Sequence, residues 1–223
     1  GSDVGFTPVF VAYLIVGLEE AWLFIHSAKV SSSLQQQLQQ DKVQLMLYST
    51  IDLFCGELSA RDRILIDAAS CSNHLYQQLS KVQIKEGVHL VRDRKAVKNH
   101  AEIYHFKSAM RKDGVALLRA FRWLEAALAE GENPSEYDFA QKIAACRAEQ
   151  SDYFSESFPA IIGYNGNGAI IHYRPSKEGA AKIQPQGILL VDCGAQYLDG
   201  TTDITRTIAL GEPAAQQRMH YTL

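Results

Sequence analysis

The chain has 223 residues, 47% hydrophobic and 21% charged, the make-up of a globular protein with room for one large domain or two ordinary ones. A net charge of −3 and the lack of a basic patch point away from nucleic acid and from an anionic membrane surface. The first apolar run, Phe6 to Leu18, is too short to span a bilayer and closes on Glu19-Glu20.

In chain order, Val9 to Val16 is a β-branched and aromatic run, separated by a short turn from Ala21-Trp22-Leu23-Phe24-Ile25, and the two predict a hairpin. Ser31 to Gln40 predicts a surface helix, since Leu34 and Leu38 keep a spacing of four. Val43 to Tyr48 reads as a strand, and Thr50 to Phe54 as a short helix capped by Ser49 or Thr50. A strand at Arg63–Asp67, a helix at Ser72–Leu79 and an extended piece at Ile84–Val91 follow. This alternation predicts an α/β domain with a mixed sheet. The charged run Arg92-Asp93-Arg94-Lys95 reads as a solvated turn or linker, and the domain boundary is placed there.

Lys98 to Glu130 is the longest predicted helix, about nine turns. Asn99 and Glu102 form its capping box, and Gly131 stops it. Ile103, Phe106, Met110, Leu117, Phe121, Leu124 and Leu128 mark its expected apolar face. A second helix opens at Asn133-Pro134-Ser135, with Ser135 as cap and Asp138 at the third position. From Phe158 the pattern turns to β: a strand through Tyr164, a turn at Asn165-Gly166-Asn167-Gly168, and a second strand ending at His172-Tyr173. Residues 174–186 read as a loop. Ile188 to Ile208 then predicts a hairpin with Asp199-Gly200 at its tip, before a helix from Pro213.

Within that hairpin Asp192 and Asp203 are eleven residues apart. Centred near Tyr197-Leu198, the hairpin sets them opposite each other, so that both carboxylates face one small volume. Paired carboxylates repel, and a divalent cation relieves the repulsion. On spacing alone the bland reading, turn and cap residues, competes with the metal reading, and His172 competes with an ordinary surface or core histidine. Cys55, Cys71, Cys146 and Cys193 form no CxxC pair or zinc-finger spacing and read as reduced thiols of a cytosolic protein. Cys193 beside Asp192 invites a nucleophilic reading, but no His-Cys pattern supports it.

Three strings together resemble one family. They are Lys95-Ala96-Val97-Lys98-Asn99 with Glu102; Asn165-Gly166 with Gly168-Ala169-Ile170-Ile171-His172-Tyr173; and Asp192 through Thr207, which contains Asp199-Gly200-Thr201-Thr202-Asp203-Ile204-Thr205-Arg206-Thr207. The chain is similar to aminopeptidase P, the Xaa-Pro aminopeptidases of the creatinase and methionine aminopeptidase ("pita-bread") superfamily. Pro8 to Tyr13 also resembles the start of the middle domain in the long members. The resemblance implies an α/β (α+β) architecture: a creatinase-N-like middle domain over 1–95, then the first half of a pita-bread catalytic domain over 96–223.

It further implies a cytoplasmic, homodimeric parent that cleaves the N-terminal residue from peptides with proline second. Two divalent metal ions, usually manganese, are held in that family by two aspartates, one histidine and two glutamates. Asp192 and Asp203 match the two aspartates, with Asp203 as the bridge, and His172 matches a histidine that contacts substrate at the reacting centre. Asp199 is left as a turn residue. The remaining histidine and both glutamates are expected downstream of Leu223, since Glu212 and His220 do not replace them, and an N-terminal domain is expected before Gly1. The 223-residue chain alone is therefore expected to bind metal weakly, to be inactive, and to expose apolar surface on the long helix and around Asp192. Two alternatives are a pita-bread pseudoenzyme acting as a protein-binding module and a metal-free creatinase-like amidinohydrolase. The two aspartates argue against both.

Overall fold

The computed structural model describes residues 3–221. It divides into two compact units, Gly1–Val4 with Pro8–Val97, and Gly5–Thr7 with Lys98–Leu223.

In the first unit β1 (Tyr13–Val16) pairs antiparallel with β2 (Ala21–Ile25), which pairs parallel with β3 (Val43–Leu47). Helix α1 (Ser32–Gln40) makes the crossover, and the Ser31 hydroxyl caps it by accepting from the Leu34 amide. Helix α2 (Ile51–Glu57) leads to β4 (Arg63–Ile66). Helix α3 (Asn73–Gln78), capped by Ser72, then leads to β5 (Gln83–Glu86), parallel to β4. Phe24, Ile51, Cys55 and Leu79 form the buried centre, with Trp22, Phe54 and Ile64 packed around them. The sheets run β1-β2-β3 and β4-β5, so β1 and β4 each pair on one side only. Both line one largely apolar cleft of about 610 Å³. The expected extended piece stops at Glu86, and Arg92–Lys95 lies in a short helix, α4 (Leu90–Ala96), not in a turn. No Gly or Pro interrupts that segment, and Arg, Lys and Ala favour a helix.

In the second unit α5 (His100–Ala129) begins at a full capping box: Asn99 Oδ1 accepts from the Glu102 amide at 2.9 Å, and Glu102 Oε2 from the Asn99 amide at 2.8 Å. The buried face is Ala109, Asp113, Ala116, Leu117, Ala120, Leu124 and Ala127. Ile103, Phe106 and Met110, expected in the core, stay 41%, 38% and 43% exposed. Small alanines line the packed seam, which lets the neighbouring elements come close to the backbone. Helix α6 (Glu136–Ala148) starts at a second capping box, Ser135 with Asp138. Strand β6 (Tyr153–Glu156) precedes the position where the sequence turns β-like, and β7 (Ile161–Tyr164) follows. The chain continues through β8 (Ile188–Cys193), β9 (Ala195–Tyr197), β10 (Gly200–Thr201), β11 (Ile204–Ala209) and α7 (Ala215–Tyr221). The antiparallel sheets run β10-β9-β6 and β11-β8-β7. Leu124, Phe139, Ile143, Ile162, Leu189, Val191 and Cys193 fill the core between helices and strands.

Candidate functional site

β8 and β9 form one arm of a ribbon, and β10 and β11 the other. Tyr197 pairs with Gly200, so the tip is the two-residue loop Leu198-Asp199. The same register continues to Ile204↔Cys193 and Thr205↔Asp192. The expected centre at Tyr197-Leu198 is thus displaced by one residue, and Asp192 faces Thr205 instead of Asp203. Asp203 stands diagonally across from Asp192, a separation of roughly 7–8 Å between backbones. Burial alternates along β8, with Val191 and Cys193 inside, and on the other arm Thr202 and Ile204 are buried on either side of exposed Asp203. Asp192 and Asp203 therefore share the outer face. Asp203 is exposed, and Asp192 Oδ1 accepts from the Thr205 hydroxyl at 3.0 Å.

Between the two paired stretches the ribbon is pinned from behind. A Cβ on Gly194 would lie 2.1 Å from the Thr202 carbonyl oxygen and 2.3 Å from Ser157 Oγ, so only glycine fits. The Gly194 carbonyl accepts from the Ser157 amide at 2.9 Å and from Arg147 at 3.1 Å. The Thr202 hydroxyl donates to Asp113 Oδ2 at 2.8 Å and accepts from the Ala195 amide at 2.9 Å. Arg147 and Asp113, both fully buried, pair at 2.6 and 3.1 Å, and Arg147 also reaches Glu156. Gly194 and Thr202 flank the two aspartates in sequence, while Asp113, Arg147 and Ser157 come from distant elements; none of the five was singled out from the sequence.

Asp199 is more than a turn residue. From α5 it receives Lys112 Nζ at 2.7 Å, the Ser108 hydroxyl at 2.8 Å and His105 Nδ1 at 2.9 Å. Lys112 first, then Ser108 and His105, hold its carboxyl well below the usual carboxylate range. The three partners recur at steps of three and four along the helix, a signal present in the sequence and overlooked.

His172 does not end a strand. Asn165–Ala169 forms a 3-10 turn, and a further turn closes when the Tyr173 amide donates to the Ile170 carbonyl at 3.1 Å. His172 sits in that turn, exposed, with φ of +57°, a left-handed conformation that Asn and His tolerate better than β-branched residues. Gly163 and Gly168 explain the folding back of this loop: a Cβ at Gly163 would come within 2.6 Å of Gly168 Cα. Cys193 is buried against Arg147, and burial pushes its thiol up to about 11, so it stays protonated at neutral pH and is no nucleophile.

Carboxylates on an outward ribbon face are the oxygen donors a hard divalent ion takes, and Asp203 is exposed. Their number falls short: among the described residues no group of three or more His, Cys, Asp or Glu is placed to hold a metal ion. The residues present thus fit such an ion in kind but would supply only part of its shell. Among the described residues no helix is long and apolar enough to cross a membrane.

Residues 105–223 match the profile of metallopeptidase family M24, and residues 1–102 that of the Creatinase/Prolidase N-terminal domain. The Xaa-Pro aminopeptidase ApepP of Drosophila melanogaster is 38% identical over 225 residues, covering 100% of this chain and 37% of that protein. Xaa-Pro aminopeptidase 1 of Dictyostelium discoideum is 37% identical, covering 100% of this chain and 36% of that protein. The X-prolyl aminopeptidase of Caenorhabditis elegans, described as a cytosolic enzyme with a di-nuclear active site, superposes with a TM-score of 0.91 at 26% identity. That alignment covers 98% of this chain and 37% of the nematode chain. The chain thus spans little more than a third of the length of the relatives it matches.

Proposed function

The chain belongs to metallopeptidase family M24, and from that premise we propose that it is part of an aminopeptidase releasing the N-terminal residue from peptides with proline second. The observation that carries this is the outward pair Asp192 and Asp203 on one ribbon, in a chain aligned end to end with Xaa-Pro aminopeptidases. Residues 1–95 are assigned to a creatinase-type domain and 96–223 to the first half of the catalytic domain, a division supported by the two matched profiles. The nematode relative's cytosolic description supports a cytosolic setting, and the family resemblance a homodimer.

The chemistry a bound pair of divalent cations, manganese in this reading, supplies is Lewis acidity toward the scissile carbonyl and a lowered pKa for water. Asp203, exposed on the outer face, would hold the ions with its carboxylate. Asp192 offers one oxygen outward while Thr205 holds the other, which fixes the rotation of the carboxylate. His172, exposed in its turn, would contact the substrate beside the reacting carbonyl. The pinned Gly194 and Thr202 keep the two arms in register, which would hold the two carboxylates in place for the ions.

The test is the full-length protein assayed on Arg-Pro-Pro with manganese, beside Asp203→Ala. We expect release of arginine by the parent, and loss of both bound manganese and turnover in the variant. Unchanged metal content and rate in Asp203→Ala would refute the assignment.

A further inference from the structure

Glu136 lies at the start of α6, is fully buried, and its carboxylate is met by neutral donors. A carboxylate so placed survives only if donors saturate it. Here they do: Oε1 accepts from the Tyr164 amide at 2.7 Å and Asn167 Nδ2 at 3.0 Å. Oε2 accepts from the Tyr173 hydroxyl at 2.7 Å, the Ala181 amide at 2.9 Å and Asn167 Nδ2 at 3.2 Å. Asn167 Nδ2 also donates to the Tyr173 hydroxyl at 3.1 Å, which closes a ring of three side chains.

These partners are not scattered. Tyr164 ends β7, Asn167 lies inside the 3-10 turn, and Tyr173 directly follows His172. The Asn167 carbonyl accepts from the Ile170 amide, and the Ile170 carbonyl from the Tyr173 amide, each at 3.1 Å. The two turns from Asn167 to Tyr173 therefore start and end on residues whose side chains Glu136 holds. Burial and Glu136 push the Tyr173 phenol up to about 12, so it remains a donor at any working pH.

We propose that Glu136 is a positioning residue: through Asn167 and Tyr173 it fixes the left-handed turn that presents the His172 imidazole to substrate. This rests on the role given to His172 above, and the two are separable by experiment. Glu136→Gln replaces an acceptor-only group with one that aims an NH₂ at existing donors. Tyr173→Phe, the milder change, removes one donor and keeps the ring. In the full-length protein, hydrogen exchange over residues 164–173 and at Ala181 is expected to quicken about tenfold in Tyr173→Phe, the worth of one hydrogen bond to a charged group. Metal content should stay as in the parent. On Arg-Pro-Pro, Tyr173→Phe should lower kcat/KM about tenfold, but have no further effect in a His172→Ala background, since residues acting through one another are not additive. Unchanged exchange in both Tyr173→Phe and Glu136→Gln, or a full additive loss on top of His172→Ala, would overturn the proposal. A His172→Ala enzyme of normal rate would instead overturn the role of His172, while the exchange result still decides whether Glu136 holds the turn.

Discussion

At the scale of single residues, the strongest dependence lies behind the aspartates. Arg147 has no exposed surface and is met by Asp113 and Glu156. Asp113→Ala leaves a buried guanidinium short of a partner and removes the acceptor for Thr202 and Tyr197. We expect a loss of about 3–5 kcal/mol, read by urea denaturation. Asp199 gives a pH signature. Its folded pKa lies below its unfolded value, so the stability it contributes is present above about pH 4, the unfolded value, and is lost as pH falls through the depressed one. The stability gap between parent and Asp199→Asn should therefore be widest near neutrality and shrink on acidification below pH 4. A gap unchanged between pH 7 and pH 3 would show that Lys112, Ser108 and His105 do not bind the ionised form preferentially.

At the scale of elements, local signals were legible wherever a side chain closes on its own backbone. Asn99 with Glu102 and Ser135 with Asp138 were both read as capping boxes, and both form. Asn99→Ala should cost about 1 kcal/mol, measured by thermal melting. What escaped the sequence depends on pairing across the chain. The Asp192 and Asp203 relation turned on one residue of loop position, because moving a hairpin centre by one shifts every cross-strand partner by two. The segment holding His172 looked like a strand because Ile170 and Ile171 are β-branched. It folds as turns because Glu136, from another element, captures Asn167 and Tyr173. Ile103, Phe106 and Met110 kept helical spacing, yet alanines took the packed face, since spacing gives a stripe and not the identity of what covers it.

At the scale of the molecule, the two matched profiles and the two compact units describe a chain that carries a creatinase-type fold and part of a catalytic one. The pair Asp192 and Asp203 is fewer than the roughly six ligands a hard divalent ion takes. Manganese titration of residues 1–223 is expected to give weak binding, and peptidase assays background rates. One further consequence comes from β1 and β4, the half-paired strands that border the cleft of the first unit. An edge strand offers a row of unmet amide and carbonyl groups, and on β1 Leu14 and Val16 are 56% and 69% exposed. Such an edge is a template for a neighbouring molecule. Solutions of residues 1–223 should thus scatter more light as they are concentrated, and Leu14→Lys should delay that onset. The same geometry that leaves a groove in one molecule sets the concentration at which many of them can be kept apart in a tube.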